Sequence, residues 1–178
     1  MRNITKTALA VLLVSGFVAQ TQAAVTGQVD VKLNVSTGCS VGGSTTEGSM
    51  NKFGTLDFGK TSGTWTNVLT AEVASSATGG ELEVTCDGTD PVDFTVSIDG
   101  GERSDRSLKN TVADDLVSYN VYRDAARSNL YAVNQPQAFT AVGGQATPVP
   151  IFGAIAPNAG TAKAQGDYKD TLLVTVNF

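Results

Sequence analysis

Apolar and polar residues alternate along much of the chain, and the cleanest run is AVTGQVDVKLNVS, residues 24–36. Val25, Gly27, Val29, Val31, Leu33 and Val35 share one parity, while Thr26, Gln28, Asp30, Lys32, Asn34 and Ser36 share the other. Successive side chains of a strand point to opposite faces, so this run predicts a two-faced β-strand. Leu82, Val84 and Cys86 alternate with Glu81, Glu83 and Thr85, which predicts a half-buried strand. Val92, Phe94, Val96 and Ile98 predict the clearest interior strand, stopped by Asp99-Gly100-Gly101. Leu116 to Arg123 places Val117, Tyr119 and Val121 on one side and Tyr122 opposite. At the far end, Leu172, Val174, Val176 and Phe178 alternate with Thr171, Leu173, Thr175 and Asn177.

Weaker signals fill the gaps. Phe53 to Gly59 is anchored by Phe53 and Phe58, and Trp65 to Ala74 reads as a weak strand with Val68 and Val73. Leu130 to Val133 and Phe139 to Val142 read as short strands. Pro148 and Pro150 place the segment Val149 to Ile155 at an edge or a bend, because proline lacks the ladder donor. Residues 102–115 are polar and read as a long loop. Turn signals recur about every ten residues, which predicts an all-β sandwich. Tyr168 stands where a tyrosine corner would stand, or else is an ordinary core aromatic.

The first 23 residues form a separate pattern. Arg2 and Lys6 precede an apolar run from Ala8 to Val18, and Thr21-Gln22-Ala23 is a small-x-small cleavage site, so residues 1–23 are expected to be a secretory signal peptide. The run is too short for a membrane span; an uncleaved anchor or a core helix is the alternative. The expected division is therefore signal peptide, N-terminal strand 24–36 and a single sandwich domain over 37–178.

Charge and composition remove several classes of function. The chain of 178 residues carries a formal charge of −5, and loss of Arg2 and Lys6 makes it more acidic. An acidic surface without a basic stripe argues against nucleic acid and anionic membranes as partners. Histidine is absent, which excludes Ser-His-Asp and Cys-His machinery and His-ligated metals. Asp114-Asp115 would point to opposite faces of a strand, so it is a poor acid–base pair. The glycine pairs do not follow the nucleotide-binding spacing, and no cofactor or enzymatic activity is expected. The two cysteines, Cys39 and Cys86, are expected to form a disulfide after export, with two buried thiols as the alternative. A bridge closing their 47-residue loop contributes roughly 4 kcal/mol in the entropy model. Asn34-Val35-Ser36 matches a glycosylation sequon, a match common by chance.

The two ends belong together. A sandwich that stops after the apolar strand 171–178 leaves that strand's edge unpaired and a groove beside it, and proteins cover such edges. The strand at 24–36 is the available cover, in its own molecule or in a neighbour. Donation in one direction is heterologous and, unless it closes into a ring, generates an open filament. Burying Val29, Val31, Leu33 and Val35 would contribute roughly 6–12 kcal/mol, comparable to the stability of a small domain.

The stretches FGTLDFG (53–59), VTCDG (84–88), FTVSIDGG (94–101), YNVYRDA (119–125), VPIFGAI (149–155) and GDYKDTLLVTVNF (166–178) resemble the spore coat protein U domain, a family that includes pilins of archaic chaperone–usher pili. The resemblance implies an incomplete immunoglobulin-like β-sandwich completed by a donated strand. It implies Cys39–Cys86 as the disulfide, Val25, Gly27, Val29, Val31, Leu33 and Val35 as the donor strand, and Leu172, Val174, Val176 and Phe178 as the strand that contacts a periplasmic chaperone. The implied partners are neighbouring copies of the chain, that chaperone, an outer-membrane usher, and other pilin and tip subunits. The implied product is a pilus at the cell surface, for attachment and biofilm, with this chain in the shaft. The reading from a different class is a self-contained secreted sandwich, a coat or carbohydrate-binding protein.

Overall fold

The computed structural model describes residues 28, 30–35, 38–42, 45–47, 50–74 and 82–178. The expected signal peptide and Val25, Gly27 and Val29 of the expected strand lie outside these residues. The chain divides into two compact units, Met1–Val35 and Ser36–Phe178.

In the second unit the strands are, in chain order, β1 (Cys39–Gly42), β2 (Thr45–Glu47), β3 (Met50–Lys52), β4 (Thr55–Leu56), β5 (Leu69–Ala74), β6 (Leu82–Cys86), β7 (Val92–Ile98) and β8 (Ser107–Asn110). They continue as β9 (Leu116–Ser118), β10 (Asn120–Tyr122), β11 (Gln137–Ala141), β12 (Ala146–Val149), β13 (Phe152–Ile155), β14 (Tyr168–Lys169) and β15 (Val174–Asn177). Every pairing is antiparallel. The sheets run β1-β6-β12, β10-β13-β5-β4, β11-β7-β15 and β14-β8-β9, with β2-β3 as a separate hairpin. This agrees with the all-β class expected from the alternation.

The alternation places the core. Leu82, Val84 and Cys86 of β6 are buried, as are Phe94, Val96 and Ile98 of β7. They meet Val117, Tyr119, Val121, Tyr131, Val149, Ile151 and Ile155 in one apolar cluster. Burying each such side chain contributes about 1.5–3 kcal/mol.

Several boundaries differ from the sequence expectation. The loop expected over 102–115 contains β8, whose Ser107 and Asn110 are buried. The strand expected over Leu116 to Arg123 is divided at Tyr119 into β9, paired with β8, and β10, paired with β13. The Tyr119 N–H there donates instead to Arg106 O at 2.9 Å. Side-chain parity survives this exchange of partners, so alternation alone does not show it. Leu130 to Val133 is not a strand; Leu130 forms a single bridge to Tyr122, and Tyr131 is buried. Val149 to Ile155 bends at Pro150-Ile151 between β12 and β13, and Pro148 lies in β12, an outer strand, as a proline must. Trp65 precedes β5, bridged to Asn158, with its indole N–H donating to Ala156 O at 2.8 Å.

Two polar groups brace the loops around this core. Arg106 is buried at a positive φ of 55°. Its guanidinium donates to Asp99 O at 3.1 Å, Ile98 O at 3.2 Å and Tyr131 O. Burial lowers its pKa, opposed by Tyr119 and Asp99, yet an arginine keeps its charge. The second brace is Asp115. Its carboxylate accepts from Ala164 N at 2.8 Å, Lys163 Nζ at 2.9 Å, Tyr168 Oη at 3.0 Å and Leu116 N at 2.9 Å. Tyr168 Oη also lies 2.9 Å from Ala164 O, four residues upstream, and its one proton serves one acceptor at a time. That upstream bond is the tyrosine-corner arrangement. The Ala164 amide, then Lys163, hold Asp115 down to a pKa of about 2.

Arg106→Ala leaves buried carbonyls unpaired, so it should lower unfolding free energy by about 3 kcal/mol. A denaturant titration showing a loss under about 1 kcal/mol would contradict the brace. Asp115 has a folded pKa below its ordinary 3.8, so its contribution is whole above about pH 4 and is lost as pH falls towards 2. Melting temperatures between pH 6 and 2 should show an acid limb that Asp115→Asn flattens; an unchanged limb would refute the assignment.

Candidate strand-docking edge

β15 is built by its register on β7. Val174 faces Ile98, Thr175 faces Ser97, Val176 faces Val96 and Asn177 faces Thr95. On the other side of β7, Phe139 of β11 faces Phe94, and Gln137 faces Val96. Val96 is therefore flanked on both sides, by Gln137 and Val176, and Phe94, Val96 and Ile98 are all buried. Val174 and Val176 point to the same face but are only half-buried, packed against the core cluster together with Leu172. The reason is positional: among the described residues β15 pairs with β7 alone. Phe178 continues the row, its ring 6.0 Å from that of Phe94, which in turn stacks on Phe139 at 5.4 Å. Phe178 remains 59% exposed.

The direction of the free backbone groups follows from the ladder. Asp99 N donates to Leu173 O at 3.1 Å, so Leu173 lies at a hydrogen-bonded position of the register. Hydrogen-bonded and non-hydrogen-bonded pairs alternate in an antiparallel ladder. Thr175 and Asn177 therefore bond to β7, while the N–H and C=O of Val174 and Val176 point away from β7, towards the open edge. Chemically, this edge offers main-chain donors and acceptors beside a half-covered apolar face. That is what an added β-strand with one apolar parity requires.

The N-terminal unit contains a segment of that kind. Asp30 to Val35 belongs to none of the strands, and Val31, Leu33 and Val35 are 92%, 87% and 83% exposed. Asp30, Lys32 and Asn34 are exposed as well. Isolated apolar residues on a surface are ordinary, but three at alternate positions form a sticky stripe.

Cys39 and Cys86 are disulfide-bonded and face each other in register between β1 and β6. Cys86 is fully buried in the core. The bridge therefore ties the start of β1 to the central strand of its sheet.

Sequence reasoning missed a polar cluster at the entrance to β15. Asp170 accepts from Tyr119 Oη at 2.7 Å, Arg103 Nη2 at 2.8 Å and Glu102 N at 3.0 Å, with its side chain 2% exposed. The signal available in the sequence was the pair Gly100-Gly101 between Asp99 and two arginines, in a stretch whose polarity suggested only a solvated loop.

The family model of the Spore Coat Protein U domain matches residues 25–175. No curated protein matches the chain. A solved structure that matches is the crystal structure of the CsuC-CsuE chaperone–tip adhesion subunit pre-assembly complex from archaic chaperone-usher Csu pili of Acinetobacter baumannii. Identity is 14% and the TM-score 0.42, and the match covers 81% of this chain and 40% of that one.

Proposed function

The chain belongs to the spore coat protein U domain family, and from there we propose that it is an exported structural subunit that polymerises head to tail by donating residues 24–36 to the β15 edge of the next copy. The observation that carries this reading is the complementarity of two surfaces of one chain. Val174 and Val176 present free backbone groups and half-buried side chains, while Val31, Leu33 and Val35 stand exposed on one parity. Donation in one direction uses different surfaces on giver and receiver, so it propagates as a filament unless the rotation between copies closes a ring.

The product is a surface pilus for attachment and biofilm, with this chain in the shaft. Before assembly the same edge, through Leu172, Val174, Val176 and Phe178, is held by a periplasmic chaperone, and an outer-membrane usher exchanges that chaperone for the incoming strand. Tip and other pilin subunits are further partners. The role is structural, without catalysis or cofactor. Gly27, the one position of the donor parity without a side chain, marks the place where donor and groove approach most closely. The alternative, a self-contained secreted coat or carbohydrate-binding sandwich, requires the segment 24–36 to pair within its own chain.

Val31→Asp should leave chaperone-bound subunit levels unchanged and abolish fibres, because a carboxylate cannot enter an apolar groove without a partner. Negative-stain microscopy of expressing cells reads the outcome. Normal fibres from the variant would refute the donor role.

A further inference from the structure

β15 is four residues long, is paired on one side only among the described residues, and there exposes the backbone groups through which a strand would be added. A short edge strand held by a single ladder tends to fray. Contacts outside the ladder hold this one. At its entrance, Leu173 is pinched by Asp99: Leu173 O accepts from Asp99 N at 3.1 Å, and Leu173 N donates to Asp99 Oδ1 at 2.8 Å. Just upstream, the buried Asp170 carboxylate accepts from Tyr119 Oη, Arg103 Nη2 and Glu102 N. Arg103 also donates to Lys169 O at 3.1 Å and to Ser107 O at 2.7 Å. Residues 169, 170 and 173 are thus each bonded to the turn that follows β7.

That turn is itself rigid. Gly101 N donates to Asp99 Oδ1 at 3.0 Å, Arg106 N donates to Gly100 O at 2.8 Å, and the Arg106 guanidinium fixes the carbonyls of Ile98 and Asp99. Neither glycine can be replaced without cost. A Cβ on Gly101, at φ 77°, would collide with the Asp170 carboxylate, and one on Gly100 would collide with the Ser104 backbone. The Asp-Gly-Gly sequence is therefore spent on letting the turn close over Asp170.

We propose that residues 99–106 form a clasp that sets the position of β15 and keeps its free edge ordered before any strand is added, with Asp99, Arg103, Tyr119 and Asp170 as positioning residues. The proposal rests on the strand-donation reading for its purpose and on the hydrogen bonds above for its mechanism. It makes the receiving edge preorganised, so the incoming strand does not bear the entropy of straightening it.

The test uses the mature chain, residues 24–178, in two measurements. The first is residue-resolved hydrogen exchange of the Thr175 and Asn177 amides, which lie in the β7 ladder, against Val84 in β6. Asp170→Ala should accelerate exchange at Thr175 and Asn177 by about tenfold or more and leave Val84 unchanged. Tyr119→Phe keeps the ring, loses one hydrogen bond, and should do the same severalfold; it serves if Asp170→Ala does not fold. The second is the rate at which the chain captures a labelled synthetic peptide of residues 24–36, which both variants should slow. Unchanged exchange at β15, an equal rise at Val84, or a capture rate that stays at the wild-type value while β15 opens would each overturn the clasp. A wild-type chain that captures no peptide would instead overturn strand donation, and the exchange measurement would still decide whether the clasp holds β15.

Discussion

A β-strand bonded on one side only is the constraint from which the rest follows. Ladder groups that face no partner carry the cost of an unmade hydrogen bond wherever water is kept away, and an apolar face beside them adds the drive to be covered. In this chain both conditions meet at β15, where the N–H and C=O of Val174 and Val176 face outward above half-buried side chains. Covering such an edge is thermodynamically downhill, so the biological question is which strand covers it and when. A chain that carries a matching amphipathic segment of its own has the means to turn that drive into assembly.

Holding an edge open is harder than closing it, and the polar architecture answers that difficulty. The apolar core is centred on β6 and β7, whose inward side chains Leu82, Val84, Cys86, Phe94, Val96 and Ile98 are buried. β15 lies at the margin, and that core covers its apolar side chains only in part. Its order comes from charge-assisted hydrogen bonds at the Asp99–Arg106 turn and from the Phe94–Phe178 contact at its far end. Bonds of that kind are directional, so they fix position as well as adding stability. The Cys39–Cys86 bridge provides the corresponding anchor at the start of β1.

What the sequence reveals divides along the same physical line. Leu82-Val84-Cys86 and Phe94-Val96-Ile98 were legible because an antiparallel strand with one face in the core writes its burial as alternation. The end strand was legible for the same reason over Val174–Asn177, whereas Asp30–Val35, expected within a strand, alternates just as cleanly yet forms none and stays exposed, because alternation records a capacity to pair and not the pairing itself. β8 was not legible, because its buried residues Ser107 and Asn110 are polar, and the Asn110 side chain is held by hydrogen bonds rather than by hydrophobicity. Asn110 donates to Ala164 O and Gln165 O, more than fifty residues away, and no local pattern encodes that. The clasp was missed for the same reason: Arg103, Arg106 and Asp170 look like solvated charges until the fold brings them together. The division at Tyr119 was invisible because the backbone changes partners while the side chains keep their parity.

Strand donation between copies is the central claim, and cryo-electron microscopy of fibres from expressing cells tests it most directly. The account predicts residues 25–35 of one subunit laddered to Val174 and Val176 of its neighbour, with Val31, Leu33 and Val35 turned into the half-covered core face. A fibre in which each chain's own segment covers its own β15, or in which subunits join through other surfaces and leave that edge bare, would contradict it.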